Sequence, residues 1–166
     1  MHRKVAWFFD SVTLSNFALV GRMDVLSDRY RMRGFVTTQV VDELTSGVAA
    51  GHAPLADCLG LVDQGVFRVV TLDKTERDTF RELIGHLGQG EAGTITAALH
   101  RKGIVVTDDL SGRRTCADMG IPVTGTIGIL QAVLHDRVLT LAVTNDLLHK
   151  MIAAGFRSPV DRLTIQ

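Results

Sequence analysis

Short apolar runs alternate along the whole chain with stretches of helical periodicity. Val5–Phe9 (VAWFF), Gly34–Thr38 (GFVTT), Val66–Leu72 (VFRVVTL), Ile104–Asp109 (IVVTDD) and the short Ile121–Gly125 (IPVTG) predict strands. The clearest of them are apolar throughout, the pattern of strands buried on both faces. Between them, apolar residues recur at helical spacing. Leu14, Phe17, Ala18, Val25 and Leu26 predict two short helices or one bent at Gly21. A helix follows the second strand in TQVVDELTSGVAA, with Thr38 as its expected N-cap, and another enters through Pro54 in HAPLADCLGLVDQG. Asp73 is placed to cap a helix running towards His86. GQGEAGTITAALHRKG predicts a helix closed by Gly103, LSGRRTCADMG one closed by Gly120, and the chain from Thr126 is mostly helical. Strand–helix alternation of this kind predicts a three-layer α/β/α fold around a central parallel sheet of about five strands.

Composition narrows the class. With 166 residues, 46% hydrophobic and 22% charged, the chain is expected to form a single domain over 1–166, C-terminal helices included. Lys plus Arg equals Asp plus Glu, 18 each, so net charge argues neither for nor against nucleic acid. No apolar run is long enough to span a bilayer, and the basic start MHRK leads to Asp10 without a small-residue cleavage site. Cys58 and Cys116 stand alone, which fits a reducing compartment. A cytoplasmic protein without a membrane partner is expected.

The acids carry the chemistry. The first strand stops on Asp10 and the fourth on Asp108–Asp109. Parallel strands end on one edge, where open α/β sheets place their ligands. Glu43 lies in the early turns of the helix after the second strand and so belongs to that edge. Glu91 opens a helix that precedes a strand and so should start at the far edge unless the helix runs across the sheet; periodicity alone does not place it. Each of these acids also has a plain structural reading. Glu43 and Glu91 suit the positive end of a helix, and one of Asp108 and Asp109 is expected to be an N-cap. Carboxylates gathered without Lys or Arg repel one another, a cost that a hard divalent cation removes. Oxygen-only ligands favour Mg²⁺ or Mn²⁺ over zinc.

Asp10 with SVTLSNFALVGRMDVL, then VVDEL, then GQGEAGTITAALHRKGIVVTDDLSGRRTCADMGIPVTGTIGIL resembles the PIN-domain family over nearly the whole chain. It is most similar to members with a GEAEAIALA…LLDDRAARRVAERLGLPVIGTLGVL pattern. The resemblance implies a metal-dependent ribonuclease, in many members the toxin of a VapBC-type toxin–antitoxin pair. It implies a quartet of Asp10, Glu43, Glu91 and either Asp108 or Asp109 around Mg²⁺ or Mn²⁺, with Glu91 brought to the acidic edge. It also implies RNA as substrate, a cognate antitoxin and homodimerisation as possible partnerships. The second small hydroxyl residue after Asp10 is replaced by Val12, and GEAG stands where GEAE is commoner.

In this reading Asp10, Glu91 and Asp108 or Asp109 form the main cation site, and Glu43 holds a second ion or orients water. Ser11 and Thr107 are candidates to hydrogen-bond the ligand carboxylates. Arg113 and Arg114 are candidates for a substrate phosphate or for neutralising the cluster. The alternative is a catalytically silent PIN-like module that binds RNA or protein. A haloacid-dehalogenase-type phosphatase is disfavoured, because Val12 occupies the position of its second acid.

Overall fold

The computed structural model describes residues 4–165. Residues 1–3 and 166, where the ends of the expected domain and most of the MHRK segment fall, lie outside the described residues. The strands β1 (Trp7–Phe9), β2 (Gly34–Thr37), β3 (Arg68–Val70), β4 (Ile104–Val106) and β5 (Val123–Thr124) form one sheet in the order β3-β2-β1-β4-β5. Every pairing is parallel, and Phe8 lies between Phe35 and Val105 in register. The three-layer architecture and the parallel sheet expected from the pattern are therefore present.

Successive strand residues point to opposite faces, and the core divides accordingly. Phe9, Val36 and Val106 pack under α1 (Ser11–Leu19), α2 (Met23–Tyr30), α3 (Thr38–Ala49), α4 (Ala56–Asp63), α8 (Thr126–His135) and α9 (Leu141–Ala153). Phe8 and Val105 pack under α5 (Lys74–Leu83), α6 (Gln89–Arg101) and α7 (Leu110–Met119). Leu130, Val133, Leu148 and Met151 are fully buried, so α8 and α9 are part of this core. Phe8 and Phe9 are core as well, and Trp7 is half-buried against Tyr30.

The strands are shorter than the apolar runs because their ends are used for other bonding. Thr37, not Thr38, is the N-cap of α3: its hydroxyl accepts from Val40 N, which ends β2 at that residue. The segment from Leu14 to Leu26 is two helices, parted at Gly21. Pro54 sits in a 3₁₀ turn, Ala53–Leu55, that precedes α4. Asp73 caps α5 through a reciprocal pair with Glu76, as a capping box does. Lys102, not Gly103, is the left-handed residue that closes α6.

The connection from β3 to β4 decides where Glu91 lies. Arg101, at the end of α6, grips Glu76, at the start of α5, with Nε to Oε2 and Nη2 to Oε1 both at 2.9 Å. Its Nη2 also donates to Thr71 O. The start of α5 therefore lies beside the end of α6, and the two helices run antiparallel. Since α6 leads directly into β4, its other end, with Glu91, opens where the strands finish. Glu76 is only 2% exposed, so removing its partner strands a buried carboxylate. Arg101→Leu should cost about 2–4 kcal/mol in urea unfolding. A loss below about 0.5 kcal/mol would show that this pair does not hold the helical hairpin.

Candidate active site

Asp10 follows β1 directly and is 3% exposed. Its backbone N donates to Val106 O, extending the β1–β4 pairing by one residue. Its side chain caps α1. Ser11 N donates to Oδ1 at 2.8 Å, and Thr107 Oγ1 donates to Oδ2 at 3.0 Å. Burial nevertheless dominates these hydrogen bonds and raises the Asp10 carboxyl to about 6, with Glu43 and Asp109 adding smaller repulsions.

Glu43 reaches the same edge from α3. Ser11 Oγ donates to its Oε2 at 2.9 Å and Gly90 N to its Oε1 at 2.8 Å. A Cβ at position 90 would overlap the Glu43 carboxylate, so the glycine before Glu91 leaves room for Glu43 against the opening turn of α6. Position 112 in α7 works in the same way for Glu91, whose Oε1 occupies the space a side chain there would need.

The consecutive acids after β4 have different surroundings. Asp108 is fully engaged: its Oδ2 accepts from Thr13 Oγ1 at 2.8 Å, Asn16 Nδ2 at 3.2 Å and Thr126 Oγ1 at 2.6 Å. Its Oδ1 accepts from Thr126 N at 2.9 Å. It ties α1, β4 and α8 together. Asp109 caps α7, accepting from Ser111 N and Gly112 N on Oδ1, and faces Glu91. The structure thus brings together Asp10, Glu43, Glu91 and Asp109, and turns Asp108 towards the hydroxyls behind them. Thr13, Asn16 and Thr126, none of which stood out in the sequence, provide the donors that hold Asp108 in place.

Thr107 supports both strand-end acids, donating to Asp10 and accepting from Asp109 N at 3.2 Å. Arg113 is half-buried and donates to Thr107 O at 3.0 Å, so its guanidinium braces the end of β4. Arg114 is exposed. His86, His100, His135 and His149 are all exposed, and Val12 is exposed on α1.

Electrostatically the group is uncompensated. The ion pairs among the described residues leave out Asp10, Glu43, Glu91 and Asp109. Desolvation pushes Glu91 up to about 8, assisted by contact with Asp109 and by the Asp10 charge. Hydrogen bonding with the neighbouring Glu91 side chain in turn holds Asp109 below the ordinary carboxylate range. Glu91 Oε1 is buried without a hydrogen-bond partner. An orphaned carboxylate oxygen among three further acids suits a hard cation, and oxygen-only donors suit Mg²⁺ or Mn²⁺. Among the described residues no three His, Cys, Asp or Glu side chains already close into a cation cage, so an ion would have to draw these carboxylates together.

The raised pKa values predict a pH dependence. The unfolded chain releases these protons near pH 4, whereas the folded chain keeps them to about 6 at Asp10 and about 8 at Glu91. The folded state binds more protons in that window, so stability is greatest on its acid side and falls as pH rises through it. Acids held low, such as Asp109 and Glu76, are ionised in both states there. With chelator present, unfolding free energy should fall on the order of 2–3 kcal/mol between about pH 5 and 8, allowing for the partial exposure of Glu91. Mn²⁺ or Mg²⁺ should restore it at the alkaline end. Stability that is flat or rising across the window, and indifferent to cation, would contradict the clustering.

No curated protein matches this chain. Among solved structures, PAE2754 from Pyrobaculum aerophilum is similar at 16% identity, with a TM-score of 0.55 over 79% of this chain and 98% of that one. VapBC2 from Rickettsia felis, solved bound to a DNA fragment from its promoter, is similar at 11% identity, with a TM-score of 0.52 over 73% of this chain and 98% of that one. At these identities the likeness concerns the fold. The family model DUF3368, described as a PIN domain, matches residues 6–164. That match spans the sheet, both helical layers and all four converging acids, and the chain belongs to the PIN-domain family.

Proposed function

We propose that this protein is a divalent-metal-dependent endoribonuclease, and the toxin of a toxin–antitoxin pair. PIN domains are generally nucleases that use divalent ions. The observation that carries the proposal is the convergence of Asp10, Glu43, Glu91 and Asp109 with no basic side chain paired to them among the described residues, and with one Glu91 oxygen buried and unpartnered. A silent binding module has no need to keep four acids in mutual repulsion, which favours the enzyme. The likeness to the Rickettsia felis VapBC2 structure supports the toxin–antitoxin assignment. Two buried free thiols suit a cytoplasmic site of action.

Asp10, Glu91 and Asp109 would hold Mg²⁺ or Mn²⁺, and Glu43, more exposed, would orient the attacking water or hold a second ion. Such an ion lowers the pKa of water and offsets charge on the scissile phosphate. Thr107 and Ser11 fix Asp10 through one oxygen each, so the carboxylate is oriented before substrate arrives. Glu91, which burial keeps protonated up to about 8, would hold such an ion as the carboxylate. Arg114 is the arginine free to meet an RNA phosphate, while Arg113 keeps the β4 end in place. Asp108 acts as an anchor for Thr13, Asn16 and Thr126.

This assignment separates the two neighbouring acids experimentally. In Mn²⁺ or Mg²⁺ with a mixed structured RNA pool, Asp10→Asn and Asp109→Asn should each lower cleavage at least about 100-fold. Both should fold normally, since Asn still caps a helix. Asp108→Asn should instead destabilise by about 1–3 kcal/mol, because it turns donors towards donors. At a temperature where it is folded, it should keep most of its activity. Activity lost in Asp108→Asn and kept in Asp109→Asn would reverse the roles. Cleavage that survives Asp10→Asn would overturn the site.

A further inference from the structure

A cavity of about 500 Å³ opens at the edge of the sheet opposite the acidic one. There the chain enters β1 through Lys4–Ala6 and β4 through Lys102 and Gly103, with Ile104 N donating to Ala6 O. Its floor is apolar, made by Phe8, Phe35 and Val70. The Phe8 and Phe35 rings stack with centroids 5.4 Å apart, and half-buried Phe35 offers the more accessible ring. The rim is basic, with Lys4, His100 and Lys102 exposed and no acid lining the cavity among the described residues. Arg101 also lines it but is committed to Glu76. Neither Lys4 nor Lys102 has an ion-pair partner among the described residues.

Lys102 adds an independent observation. It closes α6 in the left-handed conformation, φ 54° and ψ 47°, which a side chain with a Cβ adopts at a cost that glycine avoids. A glycine is adjacent, at 103, but there it serves close packing against the Phe8 ring and Ala6 O. The left-handed position directly on the cavity rim thus carries a lysine, as Met32 and Arg137 take this conformation elsewhere among the described residues, and the helix ending fixes where its side chain leaves the backbone.

We propose that this cavity is a binding site for a nucleoside phosphate, with the base over Phe35 and the phosphate between Lys4 and Lys102. The volume lies within the range of small-ligand sites, roughly 300–1,000 Å³. An aromatic floor stacks any base without regard to sequence, and paired ammonium groups suit phosphate. The same chemistry is offered by a free nucleoside monophosphate and by the 5′-phosphorylated end of an RNA strand. The site is independent of the acidic edge and of the nuclease reading.

Calorimetric titration of the full chain with AMP, in chelator so that no cation recruits phosphate to the acids, tests it. Saturable 1:1 binding is expected, with adenosine and inorganic phosphate each at least about tenfold weaker. Lys102→Gly should weaken AMP about five- to tenfold while raising Tm, because glycine relieves the left-handed residue. Phe35→Leu should weaken it several-fold without loss of fold. A 5′-phosphorylated tetranucleotide that binds as tightly as AMP or tighter would make the RNA end the source. Binding of AMP alone would make it the free nucleotide. Absence of saturable binding by either ligand would overturn the proposal, as would AMP affinity unchanged in Lys102→Gly.

Discussion

Four carboxylates placed at one edge of a sheet, in each other's field and partly out of water, are the constraint on which the rest of this structure is arranged. Charge at such a position is unfavourable unless something compensates it. Two responses are visible in the protein itself. Asp10 takes one hydrogen bond on each oxygen, from Ser11 N and Thr107 Oγ1. Glu91 is raised by burial and by Asp109 beside it, while Asp109 is held low. Neither response reaches the buried Glu91 Oε1. The molecule is organised as though a further, positively charged component belongs there.

Much of the surrounding architecture can be understood as keeping that cluster in register. Asp108 does not join it, yet through Thr13, Asn16 and Thr126 it fixes the starts of α1 and α8 against the end of β4. Arg113 holds the carbonyl of Thr107 from the other side. Glycine at 90 and 112 lets Glu43 and Glu91 lie against helix backbone where any side chain would exclude them. Gly90 of GQGEAG and Gly112 of DLSGRR are thus spacing elements for acids that come from elsewhere in the chain.

The sheet and the position of Asp10 at its edge could be read from the sequence because they depend on local pattern: an apolar run, then a carboxylate at its tip. The same holds for Asp73, whose capping box is complete within four residues. Glu91 could not be placed that way. Its position depends on Arg101 reaching Glu76 and Thr71, contacts separated by some 25 to 30 residues. Asp108 and Asp109 are adjacent and chemically identical, so only their partners distinguish them. The partners of Asp108 lie as far away as Thr13. Thr37 taking the cap expected of Thr38 is a smaller case of the same kind, two like residues whose roles are set by where the strand ends. The cavity rimmed by Lys4 and Lys102 gave no sequence signal, because its walls come from four separate segments.

The central claim is that a divalent cation completes the acidic edge by displacing a proton that the carboxylates otherwise retain. Titration of Mn²⁺ into the protein near neutral pH, repeated in buffers of different ionisation enthalpy, measures ion binding and proton release together. The account predicts saturable binding with release of about one proton per ion, the one held at Glu91, and loss of both in Asp10→Asn. Absence of Mn²⁺ binding, or binding that releases no proton and survives Asp10→Asn, would contradict it.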